Sequence, residues 1–146
     1  MKVVILEDEA PAFRRLLKLL EEVEPGVERI EVLDSVEAST EWLKSNHPPD
    51  LIFMDIQLSD GISFEIFETI QITSPGIFTT AFDEYTLRAF KVNSIDYLLK
   101  PIKKEELSLS LEKFWQLRSV FGKNAEVPVL NSLIRKIRLD DRKYKT

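Results

Sequence analysis

LIFMDIQLSDG, residues 51–61, reads as a strand that ends in chemistry: four apolar residues deliver one aspartate, Asp55, and Asp60 and Gly61 follow in a turn. Apolar residues at consecutive rather than alternate positions mean a strand covered on both faces, the pattern of a parallel sheet inside a layered α/β domain. Four more short, apolar-rich runs accompany it: KVVIL at 2–6, RIEVLD at 29–34, GIFTT at 76–80 and DYLLK at 96–100.

The segments between these runs have helical period. Phe13, Leu16, Leu17, Leu20 and Val23 recur opposite Arg14, Arg15, Lys18 and Glu22, and Pro25 with Gly26 closes that segment. Ser35 heads DSVEASTEWLKSN as an N-cap, with Trp42 and Leu43 facing inward. SFEIFETIQ presents Phe64, Phe67 and Ile70; DEYTLRAFK at 83–91 presents Leu87 and Phe90; KKEELSLSLEKFWQLRSVF carries Leu107, Leu111, Phe114 and Leu117. A βα unit thus repeats five times. Right-handed crossovers and two buried faces favour an α/β, doubly wound, five-stranded parallel sheet in the order 2-1-3-4-5.

Composition sets the limits. A chain of 146 residues, 44% hydrophobic, suits one domain of about 120 residues plus an appendage. It has no cysteine, so disulfides and thiolate metal sites are excluded. No run approaches a membrane span and the amino terminus turns acidic too early for a secretory signal, so a soluble, cytoplasmic protein without a membrane partner is expected. Through residue 122 the chain carries 13 Lys and Arg against 22 Asp and Glu, but 7 against 3 beyond it. The bulk of the chain is therefore a poor ligand for nucleic acid by itself.

Ligands of such sheets bind at the carboxyl ends of the strands, where this sequence collects its polar residues. Glu7 and Asp8 follow the first run, Asp55 ends the third, Thr79 and Thr80 end the fourth, and Lys100 with Pro101 closes the fifth. The first and third runs are neighbours in the expected order, which sets Asp8 opposite Asp55 across a small rim pocket. Taken singly, Asp55 is an ordinary strand end, Thr80 a β-branched strand residue, and Glu7 and Asp8 first-turn acids of a helix. Together, three crowded carboxylates repel unless a cation shares the site. All-oxygen donors with open positions suit Mg²⁺, which prefers one or two carboxylates, retained water and a phosphoryl oxygen. Lys100 would neutralise another phosphoryl oxygen and a threonine hydroxyl would hydrogen-bond a third. Asp55 is left as a nucleophile toward phosphorus.

LEDE after the first run, FMDIQLSDG around Asp55, FTTAF after the fourth and DYLLKP after the fifth resemble the receiver domain of two-component response regulators. The resemblance spans residues 1–121 and implies a flavodoxin-like (βα)5 fold. It makes Asp55 the phosphoacceptor, Asp8 and Asp55 direct Mg²⁺ ligands, Glu7 an outer partner, and the main-chain carbonyl of Gln57 the third protein ligand. Lys100 becomes the phosphoryl-contacting lysine, Thr80 the switch hydroxyl, Tyr97 the switch aromatic, and Pro101 the residue of a cis bond. Gln57 and Phe82 flank the expected path of a hydrolytic water. A histidine kinase is the implied donor, and self-phosphorylation and dephosphorylation are the only reactions implied.

IFTTAFDEYTLRAFKVNSIDYLLKPI further resembles the receivers of LytTR-type transcriptional regulators. That refinement implies a homodimer through the helix at 83–91, the last strand and the last helix. It makes 122–146 a linker plus the start, at RKYKT, of a DNA-binding domain truncated here. DNA would be a partner only through that domain. Two alternatives stand beside it. One is a stand-alone receiver that signals to a protein or relays phosphate. The other is a Mg²⁺-dependent aspartyl-phosphate phosphatase of the haloacid-dehalogenase type, which needs an aspartate where this chain has Gln57. A nucleotide-binding flavodoxin-like domain fits less well, because no glycine-rich loop follows the first run. His47, in SNHPPD, reads as loop decoration.

Overall fold

Alternation along each strand divides the core in two. Val3, Ile5, Leu51, Phe53 and Ile77 pack into one buried cluster, and Val4, Leu6, Ile52, Met54 and Phe78 into another. Neighbouring residues on one strand thus face opposite layers, which is why the strands read as unbroken apolar runs. The structure, a computed structural model, describes residues 1–82 and 94–121. The helix expected at 83–91 and the linker expected at 122–146 lie outside the described residues.

The strands are β1 (Lys2–Leu6), β2 (Arg29–Leu33), β3 (Leu51–Asp55), β6 (Gly76–Thr80) and β7 (Ser94–Leu99), all paired in parallel in the order β2-β1-β3-β6-β7. This is the expected sheet. β7 begins two residues earlier than the sequence reading and stops before Lys100. The described helices are α1 (Ala10–Val23), α2 (Val36–Ser45), α3 (Phe64–Thr69) and α4 (Lys104–Phe121). α1 and α4 cover the first cluster through Leu16, Leu20, Leu107, Leu111, Phe114 and Leu117. α2 and α3 cover the second through Trp42, Leu43, Phe64 and Ile66.

Two features were not anticipated from sequence. Between Asp55 and α3 lies a small antiparallel hairpin, β4 (Gln57–Leu58) and β5 (Gly61–Ile62). Gly61 has φ +155°, a region that side chains disfavour, and the carboxylate of Glu65 lies 3.1 Å from where a Cβ would sit. The second feature is a register shift in the β6–β7 pairing: Gly76 pairs with Ser94 but Ile77 pairs with Asp96, leaving Ile95 as an extra residue. Past it the parity changes, so Ile95 and Leu98 both join the α1–α4 cluster while Tyr97 packs toward α2–α3.

Polar ties lock helices to strand ends. Asp96 accepts from Ser110 Oγ at 2.6 Å and from Lys113 Nζ at 3.4 Å, which fastens α4 to β7. At the other end of the sheet Asp50 accepts from the Lys2 amide at 2.7 Å and pairs with Arg118 at 3.0 Å. The expected Ser35 cap is present, its Oγ accepting from the Ala38 amide at 3.0 Å. His47 is exposed between α2 and β3, as the sequence suggested.

Candidate functional site

Parallel register fixes the height of the functional groups. Leu6 pairs with Met54, Asp55 with Thr79 and Thr80 with Leu99, so the residues that follow β1, end β3 and β6, and follow β7 emerge at one rim. Glu7 and Asp55 share parity with Ile5 and Phe53 and therefore stand on the α1–α4 side. Lys100, two residues past Leu98, follows the same parity.

The side chains converge accordingly. Lys100 Nζ lies 2.8 Å from Asp55 Oδ2 and also forms an ion pair with Glu7 Oε1. Glu7, Asp8 and Asp55 each offer a carboxylate oxygen, and the three lie within 4.8 Å of one another. Asp8 is exposed, whereas Asp55 and Glu7 are buried. The Gln57 amide donates to Asp55 Oδ1 at 3.3 Å and the Glu9 amide to Glu7 Oε2 at 3.3 Å. This donor set, all hard oxygens with one open side, fits a Mg²⁺-sized cation that keeps some of its water.

Burial pushes the Glu7 carboxyl up to about 7, with the neighbouring Asp55 charge acting in the same direction and the Lys100 ammonium opposing both. For Lys100, burial acts against the charge, but the hydrogen bonds and charges of Asp55 and Glu7 outweigh it and raise its pKa above the usual lysine value. The site thus holds its lysine as an ammonium between two acids, one of which titrates near neutrality. The Glu7 carboxylate is buried and paired with the partly buried Lys100 ammonium.

Thr80 is fully buried, and its Oγ1 accepts from the Phe82 amide at 3.3 Å. Tyr97 is half-buried, and its hydroxyl donates to the Phe82 carbonyl. Both expected switch residues are therefore tied to the segment leaving β6. The Lys100 amide donates to the Thr80 carbonyl at 2.7 Å, which joins the ends of β6 and β7, and the Lys100–Pro101 peptide is cis.

Two residues near the site were passed over by sequence reasoning. Arg15 donates from Nε at 2.9 Å and Nη2 at 2.6 Å to the Ile102 carbonyl, clamping the turn after Lys100 to α1. Asp60 accepts from the Val36 amide at 2.6 Å and the Glu37 amide at 3.0 Å, joining the β4–β5 turn to the start of α2. The Val36 hydrogen bond above all holds the Asp60 carboxyl below the usual range. Arg15 was legible only as part of a polar helix face, and Asp60 only as part of a turn.

A five-stranded parallel sheet with acids after its first strand, an aspartate ending its third and a lysine after its last defines a class, and comparison agrees. Residues 3–112 match the family model for the response regulator receiver domain, and the chain belongs to that family. Among curated proteins it is 41% identical over 117 residues to the sensory transduction protein LytT of Bacillus anthracis, which covers 78% of this chain and 47% of that protein. It is also 34% identical over 121 residues to the sensory transduction protein LytR of Streptococcus agalactiae, covering 80% of this chain and 49% of that protein. The chain therefore spans about half the length of the curated relatives it matches. Among solved structures it resembles the response regulatory domain of protein mrkE from Klebsiella pneumoniae, with TM-score 0.69 and 29% identity over 80% of this chain and 96% of that one. No helix among the described residues is long and apolar enough to cross a membrane.

Proposed function

We propose that this receiver is a phosphorylation switch in which Asp55 takes a phosphoryl group from a phosphohistidine on a histidine kinase. The observation that carries the reading is the placement of the Lys100 ammonium 2.8 Å from the Asp55 carboxylate, beside two further acids. Asp8, Asp55 and the Gln57 carbonyl would hold Mg²⁺, and Glu7 would support them. Bound there, the ion would offset the mutual repulsion of the carboxylates and the charge of the incoming phosphoryl group.

The chain's own residues account for the remaining steps. An Asp55 oxygen attacks phosphorus, the P–N bond breaks, and the imidazole leaves with the bonding pair. Lys100 gives up part of its hold on Asp55 and neutralises a phosphoryl oxygen. The Gln57 amide orients the attacking carboxylate, which has little freedom on buried β3. The chain catalyses its own phosphorylation and dephosphorylation and turns over no separate substrate.

The added charge biases the receiver between two states, drawing the Thr80 hydroxyl toward the phosphoryl group and loosening the Phe82 tether that Thr80 shares with Tyr97. The output is homodimerisation that serves a LytTR-type DNA-binding domain whose start lies within residues 122–146, in the cytoplasm. Support comes from the relatives, in which the matched segment makes up about half the length.

With Mg²⁺ and acetyl phosphate, intact mass should rise by one phosphoryl group, and Asp55→Asn should abolish the gain. Persistence of labelling in that variant would refute the assignment. Phosphorylated protein should elute earlier than unphosphorylated protein on size exclusion, and identical elution at high concentration would remove dimerisation from the reading.

A further inference from the structure

We propose that Asp60 is a positioning residue for the cation site: by gripping the N-terminus of α2 it fixes the β4–β5 hairpin, and with it the main chain of Gln57. The inference rests on the phosphoacceptor reading above. A hairpin with two residues per strand cannot hold its own shape. It is held at its base by buried Leu58 and by the Ser63 amide bonding the Ile56 carbonyl at 2.8 Å. Its tip is held by a different element. Ser59 Oγ donates to the Asp34 carbonyl at 3.1 Å, and Asp60 uses both oxygens on the Val36 and Glu37 amides.

The geometry separates this role from ordinary helix capping. Ser35 already supplies a cap from within its own segment, through the Ala38 amide. Asp60 takes two further amides from the same helix end, reaching across from residues more than 20 positions later in the chain. The first residue of the hairpin is Gln57, whose amide touches Asp55 Oδ1 and whose carbonyl is the third protein ligand in the proposed site. A shift of the tip toward solvent therefore moves a donor and an acceptor of the site together.

The test pairs two variants that damage the same helix end. In the full chain, Mn²⁺ serves as an oxygen-preferring stand-in for Mg²⁺, and its binding is followed by electron paramagnetic resonance. Asp60→Ala should weaken Mn²⁺ binding about 10-fold, the low end of what loss of a partner that orients a ligand costs. Ser35→Ala should lower the melting temperature comparably and leave Mn²⁺ affinity within about twofold. Asp60→Asn removes the same charge but keeps an acceptor oxygen, and should retain most of the affinity. Equal weakening in Asp60→Ala and Ser35→Ala, or equal weakening in Asp60→Ala and Asp60→Asn, would overturn the inference, the first by showing general loosening and the second by showing long-range charge. Unchanged binding in Asp60→Ala would overturn it as well. Mn²⁺ binding that survives both Asp8→Asn and Asp55→Asn would instead overturn the site reading beneath it.

Discussion

Replacing Glu7 with glutamine tests the electrostatics of the rim in the absence of any cation. In the folded chain the Glu7 carboxyl titrates at about 7, against an ordinary value of 4.5. Between those values the folded state binds a proton that the unfolded state does not. Stability contributed by this group is therefore full below the unfolded value, falls as pH rises, and is lost above about 7. A displacement of this size corresponds to about 3 kcal/mol at 1.36 kcal/mol per unit. Water entering beside exposed Asp8 relieves part of that, so about 2 kcal/mol is expected at pH 8. For a domain of this size that is about 6–10 °C in melting temperature. The assay is thermal unfolding in EDTA from pH 5 to 8.5, comparing the wild type with Glu7→Gln, whose amide stands in for the protonated acid. The two should melt together near pH 5, and the variant should be the more stable at pH 8. A difference that does not change with pH would refute the reasoning, as would a variant less stable than wild type throughout.

Lys100→Met should slow phosphorylation by acetyl phosphate about 100-fold, the scale on which loss of one charge-stabilising donor acts, while Mn²⁺ binding persists or tightens. A rate within about threefold of wild type would remove Lys100 from the chemistry. Arg15→Met deletes both N–H groups from the Ile102 carbonyl and should cost about 1–2 kcal/mol in urea unfolding with an unchanged m-value. It should also slow phosphoryl uptake, because the clamped turn carries Lys100; a loss below about 0.3 kcal/mol would show that the clamp is idle.

Much of this architecture was legible because two simple periods coexist in the chain. Strand 51–55 announces itself by consecutive apolar residues, and α4 by Leu107, Leu111, Phe114 and Leu117 on one face. The meeting of Glu7, Asp8, Asp55 and Lys100 follows from strand order, since each stands at the carboxyl end of its strand. What the sequence concealed depends on partners far along the chain. Asp60 looks like a turn residue until α2 is placed against it, and Arg15 looks like a solvated face until the Ile102 carbonyl arrives. The depth of Glu7 was concealed for the same reason: an acid beside another acid gives no sign of which one turns inward.

The extra residue in β7 has a consequence for how the lysine reaches its partners. Counting from Ser94 with strict pairing to β6, the side chain at position 100 would emerge on the α2–α3 side; Ile95 supplies the half-step that turns it toward Asp55. One further apolar residue inserted between Tyr97 and Leu98 would preserve the apolar character of the strand yet send the ammonium to the wrong layer. Such a chain would keep a credible sheet and an acidic rim stripped of its counterion, a domain with the outline of a switch and nothing to throw it.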